Sequence, residues 1–306
     1  MLLLMQSVRR YISTNLNQPH LLWLKDTAYA INTTVVYENH IYRTIVDKNK
    51  GVQPDLNTGK WLLFGVDNAF AAIDLHSSTS TTIDDGLSEI ELKFDATNFN
   101  HLAFGGVQGG VLTVEEHKAD GTLIKTKDYP IGIARINAQN WYNYYYLPIP
   151  DTSGAGSGLP IDVMIALIQP TTSTITVKLT RNSALEAFIG SMVGGKGLDI
   201  GDVEYGVNIG LIDYSRKETD EYGITTLVRR KSRQTMTCDV VTPAVHIQGA
   251  KRVVQNALGH ALMFVADPDK DSKFENLIML GYIEEWETYL NNGVIARSRL
   301  RLEEVL

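Results

Sequence analysis

Several stretches of this 306-residue sequence place chemically capable residues at suggestive spacings. In GSMVGGKG, Gly190, Gly195 and Lys196 stand as in a phosphate-cradling loop, where backbone N–H groups and a lysine hold phosphates. Gly197 replaces the Ser or Thr that would hold magnesium, and no strand–helix–strand pattern surrounds the run. It reads instead as a flexible glycine linker. In DPDKDSKFENLI, Asp267, Asp269 and Asp271 alternate like the first ligands of a calcium loop. Ser272 replaces the glycine of the sharp turn and Ile278 replaces the bidentate glutamate, which leaves an acidic turn. The seven histidines, His20, His40, His76, His101, His117, His246 and His260, form no HxH or HxxxH pair, so no metal site is expected. Cys238, the only cysteine, lies on an apolar strand face and reads as an inert core thiol. The pairs Glu115/Glu116 and Glu284/Glu285 are strand neighbours, whose side chains point to opposite faces and cannot act on one bond. With no GxSxG turn either, the expectation is a protein that is not an enzyme, with no catalytic residue and no cofactor.

Aromatic and charged residues suggest binding instead. The stretch WLKDTAYAINTTVVYENHIYRTIVDKNKGVQPDLNTGKW is framed by Trp23 and Trp61 and holds Tyr29, Tyr37 and Tyr42. Two readings stay open. The rings fill a very small core, or Trp61, Tyr42 and Trp23 stack on the apolar C–H faces of a sugar. WYNYYYLPIP, Trp141 to Pro150, concentrates aromatics on both faces of one strand, the composition of a buried strand, or of an interface or a glycan cleft. In IDYSRKETDEYGITTLV, Asp213, Arg216, Lys217, Glu218, Asp220 and Glu221 alternate in sign. A solvated loop is the usual fate of such a run. A repeated subunit contact is the alternative, since mixed charge fixes register more than it adds affinity.

The balance of charge narrows the partners. A formal charge of −7 and a pI near 5.5 argue against a sequence-independent nucleic-acid binder, which needs a basic face. Nor is sequence-specific nucleic-acid binding expected. A lone cysteine excludes an internal disulfide, as suits a chain made in a reducing cytoplasm. The opening MLLLMQSVRR has an apolar run too short for a signal peptide, with its positive charges on the wrong side. It reads as a weak helix or packing arm. No window approaches the roughly 20 apolar residues of a membrane span.

The elements that must position these residues are mainly strands. Val, Ile, Thr and Tyr dominate, and turn residues recur at short intervals, as in sandwiches and barrels. Three parts are expected: 1–66, an arm and the Trp-framed module; 67–185, a β-sandwich; and 186–306, a two-sheet β-sandwich with one helix. KADGTL marks an Asp-Gly hairpin in the middle part, and LNNGV an Asn-Gly hairpin near the end. The single helical period lies in AVHIQGAKRVVQNALG, with Ile247, Ala250, Val254, Ala257 and Leu258 on one face and Gly259 as the C-terminal cap. Two strands alternate cleanly. Val228, Met236, Cys238 and Val240 oppose Arg229, Lys231 and Arg233; Val294, Ala296, Leu300 and Leu302 oppose Ile295, Arg297, Arg299 and Arg301.

The Trp-framed segment resembles the small chitin-binding modules of bacterial chitinases, through Trp23, TAY ending at Tyr29, VVYENHIYRT, Gly51, Pro54 and Trp61. That resemblance implies a short twisted sheet and rings near the closing Trp that stack on sugar. Asn32 and Thr33 stand where that family has Gly, and Asn39 with His40 replaces its usual Asn-Gly turn. Asn tolerates the left-handed conformation, so the fold survives more easily than the ligand site. The stretch from Ile209 to Arg229 resembles segments of bacteriophage tail proteins, which commonly join such a module, a middle β-sandwich and a tail-tube-like C-terminal domain. The resemblance implies a structural virion protein: a ring, six-fold by analogy, that links the tail tube to the tip, adsorption apparatus or fibres and touches other tail proteins. Two alternatives follow from the same residues: an adsorption protein that recognises host surface glycans, and the non-catalytic part of a polysaccharide hydrolase.

Overall fold

The structure, a computed structural model, describes residues 1–5, 8, 11–131, 161–167, 172–181, 186–219, 222–223, 225–266, 277–290 and 293–306. Among the described residues it is mainly β, as expected, with several largely antiparallel sheets and one α-helix, Ile247–Ala257. The acidic turn from Asp267 and the tyrosine-rich strand at 141–150 lie outside the described residues.

The Trp-framed module is a four-stranded sheet in the order Leu21–Leu22, Thr34–Tyr37, His40–Thr44, Trp61–Val66. Its hairpin pairs Tyr37 with His40, so the two-residue turn is Glu38-Asn39 and not Asn39-His40. Both turn residues have positive φ, 47° and 69°. That is the mirror-image turn whose twist matches the flanking strands, and Asn adopts it readily. Asn32 also sits at φ 66°, taking the place of a glycine.

The middle part is a sandwich of two sheets. One has the order Leu123–Pro130, Val111–His117, Thr174–Thr180, Glu89–Asp95, Ser13–Thr14, and the other Ile161–Ala166, His101–Gln108, Phe188–Gly195, Thr81–Thr82. Period-two burial places Ile90, Leu92 and Phe94 with Ile175, Val177 and Leu179 on the inner face of one sheet, packed with Leu102, Phe104, Ile189 and Met192 of the other. The Asp-Gly hairpin is present, with Gly121 at φ 83°.

Two sequence expectations change here. Gly190, Gly194 and Gly195 belong to a sandwich strand, not to a linker, and this strand pairs with His101–Gln108 although it falls inside 186–306. Side chains are missing where backbones approach closely. A Cβ at Gly190 would lie 2.8 Å from the Gly105 carbonyl, and one at Gly194 would lie 2.7 Å from the Phe99 ring. Likewise the arm at the start is neither a helix nor part of the first module. Leu2–Met5 is a strand of the C-terminal sheet, and Ser13–Thr14 pairs with the sandwich.

The C-terminal part keeps the strand–helix–strand–hairpin order but forms one eight-stranded sheet where two were expected. The path runs Gly197–Asp199, Leu2–Met5, Leu262–Val265, Ile278–Tyr289, Ile295–Glu304, Ser232–Pro243, Asp202–Val203, with Asn208–Asp213 also on Ser232–Pro243. The two ends of this path are joined by Ile200 and Gly201 alone. Ile200 N–H donates to the Met1 carbonyl at 3.1 Å, and its own carbonyl accepts from Thr242 Oγ1 at 2.6 Å. The sheet therefore curls until its ends meet. Four strand spacings in a flat sheet are about 19 Å, yet Met1 Sδ and Cys238 Sγ on strands that far apart in the order lie 3.8 Å from each other.

Inside the curl, Leu3, Met236, Cys238, Val240, Phe264, Leu300 and Leu302 pack with Ala250, Val254 and Ala257 of the helix. Gly259, at φ 79°, ends the helix as the sequence suggested, while Leu258 is exposed. The alternating strands are as read at Met236, Cys238, Val240, Ala296, Leu300 and Leu302, all buried. Val228 and Val294 are exposed: Val228 belongs to a separate two-stranded hairpin, and Val294 lies in the turn that precedes Ile295–Glu304. On its other side the strand Leu2–Met5 places Leu2 and Leu4 with Met263, Val265, Ala103 and Val193, which joins barrel to sandwich. Burial on both faces explains the unbroken run of leucines.

Candidate interaction surfaces

The first candidate site divides on burial. Trp61 is 2% exposed, its Nε1 donates to the Val52 carbonyl at 2.9 Å, and its ring meets Tyr29 edge-on at 5.7 Å. With Tyr29 and Val35 it forms the module's core. A ring enclosed in this way has no free face for a sugar, so Trp61 leaves the candidate glycan site. Trp23 and Tyr42 are half-buried, packed at the edge of that core. Tyr37, which sequence reasoning assigned only to the core, joins them at the surface: its ring meets Trp23 edge-on at 5.3 Å, and its hydroxyl accepts from Gln53 Nε2 at 2.6 Å. The phenol pKa values of Tyr37 and Tyr42 are raised, first by burial and then by the carboxylates of Glu38 and Asp55. Half-exposed rings bordered by an amide and two acids can stack on a sugar face and accept from its hydroxyls.

The second candidate, the charged run, exposes its described charged residues: Asp213, Arg216, Lys217 and Glu218 all face solvent, while Asp220 and Glu221 lie outside the described residues. It starts where Asn208–Asp213 leaves the barrel and continues into a separate hairpin, Arg216–Thr219 with Thr225–Val228. Three of its charges already have local work. Asp213 accepts from Ser215, whose hydrogen bonds hold the carboxyl below the usual range, and Arg216 Nε lies 2.9 Å from Glu218 Oε1. The same ribbon exposes Ile209, Leu211, Ile212, Leu227 and Val228. An apolar ribbon of this kind was masked in the sequence by the charges between its strands.

A third surface was not anticipated. The outer face of the barrel holds an open cleft of about 360 Å³, lined by Asn208, Gly210, Thr235, Thr237, Glu285, Glu287, Arg299 and Arg301. Its arginines are matched within the chain: Arg299 Nε to Asp239 at 3.0 Å, Arg301 Nε to Glu284 at 2.8 Å, and Arg297 beside the cleft to Glu204 at 2.9 Å. Glu284 and Glu285 do not point to opposite faces as expected. A register shift between Ile283 and Glu285 inserts Glu284 as an extra residue, and both glutamates are exposed. Glu115 and Glu116 do separate. Glu115 meets Lys178 Nζ at 2.8 Å, while the buried Glu116 accepts from Thr172 Oγ1 at 2.7 Å.

Among the described residues, no group of three or more His, Cys, Asp or Glu side chains could hold a metal ion, and no helix is long and apolar enough to cross a membrane. Cys238 is buried, and burial pushes its thiol up to about 11, far from a reactive thiolate. In comparisons with known proteins, no family model and no curated protein matches the chain.

Proposed function

We propose that this chain is a structural protein of a bacteriophage tail, in which the barrel packs side by side into a ring between the tail tube and the tip, adsorption apparatus or fibres. The ring is of the six-fold kind that the resemblance implies, and other tail proteins lie above and below it within the virion. The observation that carries the reading is a curled sheet whose ends meet, with an exposed, apolar and charge-bearing ribbon at one edge, Asn208–Asp213 followed by its hairpin. A sheet curled until its ends meet has few free edges, so this exposed edge ribbon supplies the contact that repeats. Purified protein imaged by negative stain at rising concentration tests this: rings of constant diameter are expected, and a particle of single-chain mass at every concentration, alone or with co-expressed tail proteins, overturns it.

A second reading is favoured by one specific group, the half-exposed Trp23, Tyr37 and Tyr42 beside Asp55 and Gln53. In this reading the module grips host surface glycans, and the chain is not an enzyme. Because Trp61 is core, the informative variants are Trp23→Ala and Tyr42→Ala. Retention on immobilised chitin oligomers or host envelope glycans should fall at least tenfold in either, and equal retention of both variants removes the site.

A further inference from the structure

Among the described residues, two six-residue strands stand at open sheet edges with apolar side chains exposed, besides the shorter edges Leu21–Leu22 and Thr225–Val228. Trp61–Val66 ends the module's sheet, and Leu62, Leu63 and Phe64 are 52%, 56% and 58% exposed. Asn208–Asp213, among the described residues, pairs on one side only, with Ser232–Pro243, and exposes Ile209, Leu211 and Ile212. Unpaired N–H and C=O groups beside apolar side chains form a template for another strand, and proteins ordinarily guard such edges. The edge strand Leu123–Pro130 shows the guard: Lys125, Lys127 and Asp128 lie along it, Pro130 ends it, and a register shift interrupts it. Neither of the two apolar edges carries a lysine or a proline.

We propose that these edges pair with each other between neighbouring copies, Trp61–Val66 of one chain adding antiparallel to Asn208–Asp213 of the next. The occupant is a second copy for three reasons. Both strands have six residues, so they match in length. Every copy carries one of each, and neither pairs with the other within the chain, so a single head-to-tail contact covers both. An antiparallel alignment also brings the exposed Lys60 end of one strand to the Asp213 end of the other. A self-pairing contact at either edge would leave the second edge open. This inference rests on the ring reading, since a head-to-tail contact that closes gives a ring.

The test uses full-length protein in three forms: the natural chain, Leu62→Lys/Leu63→Lys, and Leu211→Lys/Ile212→Lys. The altered side chains are exposed, so all three should unfold within about 2 °C of one another; Phe64→Lys and Ile209→Lys replace any form that does not. Analytical ultracentrifugation should find assemblies for the natural chain and loss of species above single-chain mass for each variant alone. An equal mixture of the two variants should give a dimer and nothing larger, because one intact pair of edges remains. A variant that self-associates alone into dimers overturns the head-to-tail pairing. Rings that persist in both variants overturn the edge contact while leaving the ring reading standing. A natural chain of single-chain mass at every concentration overturns the ring reading itself, and the edge contact with it.

Discussion

At the scale of single residues, position decides what chemical type leaves open. Trp61→Ala removes a fully enclosed ring and its bond to Val52, and should cost about 3–5 kcal/mol of module stability in denaturant unfolding. Trp23→Ala, at the rim, should leave the module folded. Gly190→Ala drives a methyl against the backbone of Gly105 and Gly106, an overpacking expected to cost roughly 1–3 kcal/mol. Asp162 gives a pH signature. Burial raises its carboxyl pKa, Glu304 adds to the rise, and the bond from Gly106 N–H at 2.8 Å only partly offsets them. A carboxyl whose folded pKa exceeds its unfolded value favours the fold in acid and loses that contribution as pH rises through the folded pKa. Asp162→Asn should therefore melt higher than the natural chain at neutral pH, with the difference shrinking on acidification. Much of this scale was illegible in the sequence. Composition cannot tell an aromatic core from an aromatic surface, and glycines that admit a close backbone look the same as glycines in a linker.

At the scale of elements, legibility follows the symmetry of burial. Ile295–Glu304 is buried on one face and solvated on the other, so its alternation could be read directly: Leu300→Ala should cost about 2–5 kcal/mol, against well under 1 kcal/mol for Arg299→Ala on the outer face. Thermal or denaturant melts of the pair check the contrast. The helix was readable for the same reason, one apolar stripe closed by Gly259. Leu2–Met5 was not, because a strand covered on both sides leaves no period to detect. The inserted Glu284 was equally hidden: a single added residue changes which face two glutamates share without altering composition.

At the scale of the whole molecule, the mainly-β class and the hairpins were legible, and the way the parts interlock was not. Local patterns report a strand's surroundings, never its partner. Assembly should show both kinds of contact that the exposed edge ribbon offers. Raising salt from about 0.05 M to 0.5 M shortens the Debye length severalfold, so the charged hairpin's share, chiefly the rate of association, should weaken while apolar edge pairing persists. Stopped-flow light scattering at the two salt concentrations separates rate from extent. The closure of the barrel carries a consequence for biosynthesis. Leu2–Met5 emerges from the ribosome long before either of its neighbours, Gly197–Asp199 and Leu262–Val265, exists to receive it. A nascent chain stalled ahead of Leu262 must keep this greasy quartet shielded by a chaperone or lodged against the sandwich, and protease sensitivity there should vanish only once the last hairpin has cleared the exit tunnel.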